Sequence, residues 1–138
     1  MFGFDIPQLQ KLMKDMKDAG DLPDDVLKKM VDEEAKVTEE ALVYNAYTML
    51  EGDYFEGAVA RSVTRDRPRI NKFGPIVMIK FKGYQHGNRL GEIAFVNEYG
   101  KKSQKPRRFI DTSLKESRIP GIAKAQEVLD DFLKTKKL

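Results

Sequence analysis

The sequence predicts an α+β domain, and three features of it predict this class. Helical periodicity runs through the first third of the chain, shorter apolar runs separated by glycine and proline fill the middle, and a second helical stripe ends the chain. We expect an antiparallel sheet of three or four strands, covered by the long helix of the N-terminal half and by the C-terminal helix. The length favours one domain over residues 21–138, preceded by a helical arm over residues 1–20.

The arm is predicted to be a short amphipathic helix from Pro7 to Ala19, because proline suits a first helical turn and Gly20 suits the stop. Its apolar face consists of Leu9, Leu12, Met13 and Met16. A helix of this length is marginal in isolation. We therefore expect this face to dock on the protein's own domain or on a neighbour.

A longer helix is predicted from Asp24 to about Leu50, with acidic residues at its start and Gly52 as its stop. Apolar residues recur along it at helical spacing: Leu27, Val31, Ala35, Leu42, Ala46 and Met49. Tyr44 and Tyr47 are interpreted as packing residues in the core or at its rim.

The middle of the chain predicts strands separated by irregular segments. Residues 58–64 form a short candidate strand, and residues 76–82 form a clearer one with alternating apolar side chains. Residues 65–75 contain two prolines, a glycine and four basic residues, so we expect a projecting loop there. Residues 83–88 are predicted to connect an antiparallel hairpin.

The run that ends at Tyr99 is interpreted as the next strand of that hairpin. Ile93, Phe95 and Asn97 alternate with their neighbours at a period of two, which is typical of a half-buried strand. This interpretation makes Phe95 a core residue.

A cationic segment and two helices complete the chain. Gly100 can adopt positive φ, Pro106 stiffens the segment, and a helix is predicted to begin near Phe109. We expect this helix to stop at about Ser117 and a second one to start after Pro120. The basic residues of the segment are Lys101, Lys102, Lys105, Arg107 and Arg108.

The net charge of +3 conceals a strong asymmetry along the chain. Residues 1–60 carry 6 basic and 14 acidic side chains, whereas residues 61–108 carry 13 basic and 3 acidic ones. One interpretation is a solvated surface that pairs with the acidic helix of the same or a neighbouring subunit. The other is a surface for nucleic acid or for an acidic partner ring.

The residue types present disfavour several kinds of chemistry. The chain has no cysteine, which excludes disulfides and zinc–thiolate sites, and His86 is its single histidine. We find no phosphate-binding loop or hydrolase motif, so an enzyme is the weakest class, and no cofactor or metal is expected. No run approaches the length of a membrane span, so a soluble protein that stays where it is made is expected, with no membrane partner. Glu98 is expected to pair with a lysine or arginine within the subunit or across a boundary.

Ten residues around the cationic segment carry a resemblance to a known family. They are Ile93, Ala94, Phe95, Val96, Glu98, Tyr99, Gly100, Pro106, Phe109 and Ile110. Their order resembles the tail-component family of tailed bacteriophages, a family distantly related to the tail-completion protein of phage lambda. The family's arginine before the proline is here displaced to positions after Pro106.

The resemblance implies a structural role in a virion. It implies a hexameric homo-oligomeric ring that completes the tail or neck of a phage, a prophage or a phage-tail-like particle. The ring would join the head-proximal connector or collar to the tail terminator and tube, with neck, terminator, tube or sheath proteins as neighbours and non-specific contact with DNA in the channel. The protein would be made in the bacterial host cytoplasm. One alternative is a small basic nucleic-acid-binding domain. Another is a regulatory or partner-binding module, whose N-terminal face of Leu9, Leu12, Met13 and Met16 would bind a foreign helix or groove.

The assembly interpretation rests on the strand that ends at Tyr99 and on the cationic segment after it. We expect the loop over residues 65–75 to reach the lumen or an adjacent subunit, and exposed strand edges to be covered by neighbours. The candidates for a subunit interface or a lumen are Arg65, Arg67, Arg69, Lys72, Glu98, Tyr99, Lys101, Lys102, Lys105, Arg107 and Arg108.

Overall fold

A computed structural model describes residues 22–50 and 57–135 of the chain. The predicted arm with Leu9, Leu12, Met13 and Met16, and the predicted helix stop at Gly52, lie outside these residues. The elements follow in the order α1 (Asp24–Met49), α2 (Ala58–Ser62), β1 (Val63–Arg65), β2 (Arg69–Asn71), β3 (Gly74–Ile76), β4 (Ile79–Phe81), β5 (Tyr84–Gln85), β6 (Asn88–Arg89), α3 (Leu90–Tyr99) and α4 (Phe109–Thr135). The predicted α+β class is confirmed.

The first long helix forms where the apolar periodicity places it. Helix α1 begins with Asp24 and Asp25, whose charges suit the positive end of the helix dipole. The carbonyl oxygen of Pro23 accepts hydrogen bonds from the amides of Val26 and Leu27 at 3.1 and 3.2 Å. Pro23 therefore supplies a carbonyl acceptor for the first turn of α1. The lack of an amide hydrogen on proline costs nothing at this position.

The described residues form two compact units, and α1 and α4 each contribute to both. The first unit comprises residues 22–37, 67–78 and 118–135, and the second comprises residues 38–50, 57–66 and 79–117. The prediction of a single domain over residues 21–138 stays a prediction.

The first unit has an apolar core between its parts of the two long helices. Leu27 and Met30 of α1 pack with Ala125 and Leu129 of α4, and all four side chains are buried. Ile70 of β2 packs on the edge of this core. Interdigitated apolar side chains stabilise such a core through burial of about 25 cal/mol per Å².

The second unit is built around Phe109, the first residue of α4. Phe109 is fully buried and its ring makes an edge-to-face contact with Phe81 of β4, with 5.9 Å between centroids. Other residues of this core come from α1, α2 and α3: Leu42, Ala46, Val59, Ala60, Leu90 and Ala94. The short strands thus contribute to a core that is mainly helical.

The sheet predicted with three or four strands is wrong. Within residues 22–50 and 57–135, the strands form three separate antiparallel pairs: β1 with β4, β2 with β3, and β5 with β6. In the first pair Val63 lies opposite Phe81. Residues 65–75, predicted to be a loop, contain β2 and the start of β3, so the segment is a hairpin. A proline is tolerated in β3 because each strand of the pair has a partner on one side only.

The strand predicted over residues 58–64 is wrong for most of its length. Residues Ala58–Ser62 form the short helix α2, and only Val63 and Thr64 belong to a strand. Val59 and Ala60 are buried, and the hydroxyl of Ser62 donates to the carbonyl oxygen of Val59 at 2.6 Å. Alternation of small apolar residues over so few positions fits one turn of helix as well as it fits a strand.

The predicted strand that ends at Tyr99 is also wrong, because these residues form helix α3. Leu90, Ala94 and Glu98 are buried at a spacing of four, which is the inward face of a helix. Phe95 lies on the outward face with 61% of its surface exposed, so its predicted place in the core is wrong as well.

The predicted interruption of the C-terminal helix does not occur. Helix α4 runs without a break from Phe109 to Thr135 with Pro120 inside it. Proline costs about 3 kcal/mol in a helix interior. Packing on both sides offsets that cost, since Ser117 before the proline and Ile122 after it are both buried.

Candidate interaction surfaces

The end of α3 is a sharp turn that only glycine fits. Gly100 has φ 78°, and its amide donates to the carbonyl oxygen of Val96 at 2.7 Å. A Cβ atom at this position would lie 2.9 Å from the carbonyl oxygen of Gln104 and from Pro106. Any other residue would push the following segment away from the helix.

Residues 101–108, which we call the basic segment, have a defined conformation. Lys101 and Gln104 exchange two backbone hydrogen bonds of 2.9 and 3.0 Å across a tight turn. Asn97 of α3 fixes the rest: its side-chain oxygen accepts from the Gln104 amide group at 3.0 Å, and its carbonyl oxygen accepts from the amide of Arg107 at 2.6 Å. The basic segment is therefore attached to α3 at two points, Gln104 and Arg107.

Glu98 connects α3 to α4. Its carboxylate accepts a hydrogen bond from the amide of Ile110 at 2.7 Å and from the amide of Asp111 at 3.3 Å. These amides belong to the first turn of α4, which has no partner for them within the helix and favours a negative charge. Glu98 is 3% exposed and binds backbone amides of α4, so the predicted pairing with a lysine or arginine does not occur among the described residues.

The cations of the basic segment are directed mainly to solvent. Lys101, Lys102, Lys105 and Arg108 are exposed. Arg107 is half-buried, and its guanidinium donates to the side-chain oxygen of Asn97 at 3.2 Å. The segment thus presents four exposed charges on a fixed backbone.

Two aromatic residues of α3 lie beside the basic segment in the chain. Phe95 and Tyr99 are one helical turn apart, and their ring centroids are 4.7 Å from each other. Both are more than half exposed. We call Phe95, Tyr99 and the basic segment the basic-aromatic surface.

The β2–β3 hairpin of the first unit carries a second exposed cationic group. Arg67, Arg69 and Lys72 are exposed, and Phe73 at the tip is 87% exposed. The amide of Phe73 donates to the side-chain oxygen of Asn71 at 2.8 Å, which orders the tip. The ammonium group of Lys72 lies 5.0 Å from the centroid of the Phe73 ring. The predicted basic loop is thus a hairpin that presents an aromatic ring.

Arg65 differs from the other predicted interface cations. Its guanidinium lies 3.3 Å from the carboxylate of Glu39 in α1, and only 22% of its side chain is exposed. The Arg65 guanidinium therefore forms an ion pair with Glu39 inside the second unit. The sequence placed Arg65 with its basic neighbours because nothing local indicates a partner 26 positions earlier.

A shallow groove lies on the second unit, between α1 and the α2–β1 region, with a volume of about 650 Å³. The residues that line it are Glu39, Glu40, Val43, Tyr44, Tyr47, Ala60, Arg61 and Val63. Tyr44 is 66% exposed, and Tyr47 is also exposed. The sequence interpretation assigned both tyrosines to packing and missed this groove. Helical spacing could have predicted the exposure of both tyrosines, because they lie on the side of α1 away from Leu42 and Ala46, which are buried.

Two glutamates of the first unit have shifted pKa values. A hydrogen bond from the Lys36 ammonium at 2.8 Å lowers the pKa of Glu33 below 4.5. Burial raises the pKa of Glu34 above 4.5, because desolvation disfavours the charged carboxylate. The side chain of Glu34 lies against Gly121 of α4.

His86 is exposed and has φ 50° in the turn between β5 and β6. In the part of the chain that the structure describes, no group of three or more His, Asp or Glu side chains is arranged to hold a metal ion. None of the helices over residues 22–50 and 57–135 combines the length and hydropathy that crossing a bilayer requires.

The fold and its surfaces define an α+β protein with two exposed groups of cations. One group follows the exposed Phe95–Tyr99 pair in the chain, and the other shares a hairpin with the exposed Phe73 ring. No family model, no curated protein and no solved structure matches this chain.

Proposed function

We propose that this protein is a structural subunit of a tailed-phage particle. In this proposal it forms a homo-oligomeric ring, expected to be hexameric, that completes the tail or neck by joining the head-proximal connector or collar to the tail terminator and tube. The particle is a phage, a prophage product or a phage-tail-like particle. The proposal starts from the resemblance carried by Gly100, Pro106 and Phe109 and their neighbours.

The observation that carries the proposal is the basic-aromatic surface. Lys101, Lys102, Lys105 and Arg108 project from a backbone that Asn97 and Gly100 hold in place. A segment that is already ordered loses little conformational entropy when it binds a partner. The exposed rings of Phe95 and Tyr99, on the helix to which this segment is hydrogen-bonded, add apolar area, and protein interfaces favour this combination.

The support that a strand gave to this function is lost, and the proposal now rests on the resemblance and on the basic-aromatic surface. The sequence interpretation required an interior strand that delivered the basic segment to other subunits, and α3 takes the place of that strand. The helix keeps the role of a rigid support, because Glu98 and Asn97 bind the segment and the start of α4 to it. What is lost is any expectation that a sheet edge at this position mediates assembly.

Particle assembly tests this function directly. We expect the protein in purified particles by mass spectrometry, and a host lacking its gene should yield tails without a completed head-proximal end in negative-stain images. Complementation with Lys101→Glu plus Lys102→Glu should fail to restore complete particles. The matched control is Lys82→Glu, another exposed lysine of the second unit, which should restore them.

Two results contradict the function. One is the absence of the protein from purified particles, and the other is complete particle formation without its gene. Normal complementation by the Lys101→Glu, Lys102→Glu variant would retain the function but remove the basic segment from it.

A nucleic-acid-binding domain is the second candidate, favoured by the exposed Phe73 next to Arg69 and Lys72. An aromatic ring among cations is how proteins bind single strands without sequence preference. This candidate requires DNA affinity that falls with salt, with a slope of about 0.9 per phosphate contact, and that drops in Arg67→Ala, Arg69→Ala. DNA affinity that is absent or insensitive to salt removes it.

A further inference from the structure

The tip of the β2–β3 hairpin has the features of an inserting group. Phe73 is the most exposed large apolar side chain among the described residues, at 87%. The turn that presents it is held by the Asn71 side chain and by Gly74 at φ 112°. Arg67, Arg69 and Lys72 accompany it, and residues 67–76 contain no acid. The hairpin offers one exposed aromatic ring with Lys72 beside it, and its other charged side chains are also basic.

The groove of the second unit has features that complement this tip. Val43 and Val63 provide apolar wall, and Tyr44 provides an exposed aromatic face that attracts a cation as well as a ring. Glu39 and Glu40 supply two negative charges against one positive charge from Arg61. Since Glu39 also binds Arg65, exposed Glu40 is the acid that an incoming lysine or arginine would meet.

We propose that the hairpin tip of one copy of this chain inserts into the groove of a second copy. In this contact the Phe73 ring packs on the Tyr44 ring, and the Lys72 ammonium group lies near the Glu40 carboxylate. The Phe73 ring is 87% exposed, so it is available to a partner. This inference rests on the proposed function in treating the chain as an assembly subunit, and it names the contact between copies.

The two partners in this contact are different surfaces of the same chain. Such a heterologous contact leaves a hairpin available on one copy and a groove available on the other, so it generates a ring or an open chain rather than a closed dimer. A hairpin tip in a shallow groove buries a small area, at the low end of the range for specific interfaces. Interfaces at that end bury less than about 1,200 Å² in total and are weak. We therefore expect self-association that depends on concentration.

Sedimentation or light-scattering mass over a concentration series tests the contact with three single-surface variants. The hairpin variant is Phe73→Ser, the groove variant is Tyr44→Ser with Glu40→Lys, and the control is Tyr84→Ser in the β5–β6 hairpin. All of these positions are exposed, so the variants should keep the wild-type unfolding temperature. We expect each of the first two to weaken self-association at least about tenfold, and the control to leave it unchanged.

Mixing the two defective variants gives the sharpest result. The hairpin variant keeps its groove, and the groove variant keeps its hairpin, so one productive contact remains possible between them. We expect each variant to be monomeric alone, and the mixture to form a one-to-one dimer that grows no further. A contact through any other surface would not produce this pattern.

The inference is overturned if the wild-type chain stays monomeric at every accessible concentration, if either variant associates like wild type, or if the mixture forms no dimer. It is also overturned if Phe73→Ser reduces DNA binding and leaves self-association unchanged. These outcomes remove the hairpin–groove contact as the means of forming the ring. They leave the role in a tailed-phage particle in place, since that role fails on the separate observation that purified particles lack the protein.

Discussion

Helices α1 and α4 pack together in both compact units, and the packing is of a different kind in each. In the first unit the contact is apolar, formed by residues such as Met30 and Leu129. In the second unit it includes a partly buried polar seam. Asn45, which is buried, donates to the hydroxyl of Ser113 at 2.9 Å and to the carboxylate of Glu116 at 2.7 Å, and Thr38 and Ser117 share a hydrogen bond of 3.1 Å.

The two kinds of contact have different effects: apolar packing contributes to the free energy of folding, and polar contacts fix the register of α1 against α4. Apolar contacts are non-directional, so several registers of the same two helices would bury similar area. A buried amide satisfied by particular partners is correct in one register only, because any shift leaves it without a hydrogen bond in a low dielectric. We therefore expect the apolar part to supply more free energy and the polar seam to fix the alignment.

The largest effect should come from the apolar part. Leu129→Ala removes a buried side chain and leaves a cavity, so it should lower the free energy of unfolding by about 2–5 kcal/mol. Denaturant unfolding measures this loss. Leu114→Ala, at an exposed position of the same helix, is the control and should cost less than about 0.5 kcal/mol. Equal costs would show that α4 does not pack as described.

A smaller effect is expected from the polar seam. Asn45→Ala leaves the Ser113 hydroxyl without its donor, and should cost about 1–3 kcal/mol in the same unfolding measurement. Exposed Thr48→Ala is the control. In a double-mutant cycle with Ser113→Ala, the two costs should couple by about 0.5–3 kcal/mol. Additive costs would mean that the seam is not one network.

The cap on α4 should contribute less again. Glu98→Ala removes the acceptor for two amides of the first turn, and should cost about 0.5–2 kcal/mol. Glu98→Gln keeps one carbonyl acceptor and should recover part of this loss. Glu92→Ala, exposed on the same helix, serves as the control. If Glu98→Gln is as unstable as Glu98→Ala, acceptance of the two amide hydrogen bonds is not how Glu98 stabilises the protein.

The smallest effect on stability is expected from Glu34, a partly buried acid of the first unit. Because burial raises the pKa of Glu34, the folded state holds its proton more tightly than the unfolded state, and stability falls as pH rises through and above the ordinary value of 4.5. Glu34→Gln should therefore raise the unfolding temperature slightly at about pH 7, with the gain fading at about pH 3. A gain that is the same at both pH values would exclude this cause.

Helix α1 could be predicted from the sequence because its apolar spacing persists over many turns. Helix α3 could not, since its short apolar run matches a period of two at Ile93, Phe95 and Asn97 and a period of four at Leu90, Ala94 and Glu98. Strand pairing depends on contacts distant in sequence. The local pattern therefore could not show that the strands pair only in twos.

The candidate surfaces show the same limit. The glycine stop at Gly100 and the charges after it could be predicted, because a turn residue and a run of cations are local signals. The role of Glu98 could not, because its partners at Ile110 and Asp111 follow an irregular segment. The groove at Tyr44 brings together three elements, and no local pattern indicates their approach.

The brevity of the strands has a consequence for solubility. Each strand spans two or three residues and, in the described part of the chain, has a neighbouring strand on one side only. An edge of that length can template very few backbone hydrogen bonds with a foreign chain, too few to seed fibrous aggregation. The strand edges of the described residues therefore need no covering partner to avoid edge-to-edge pairing.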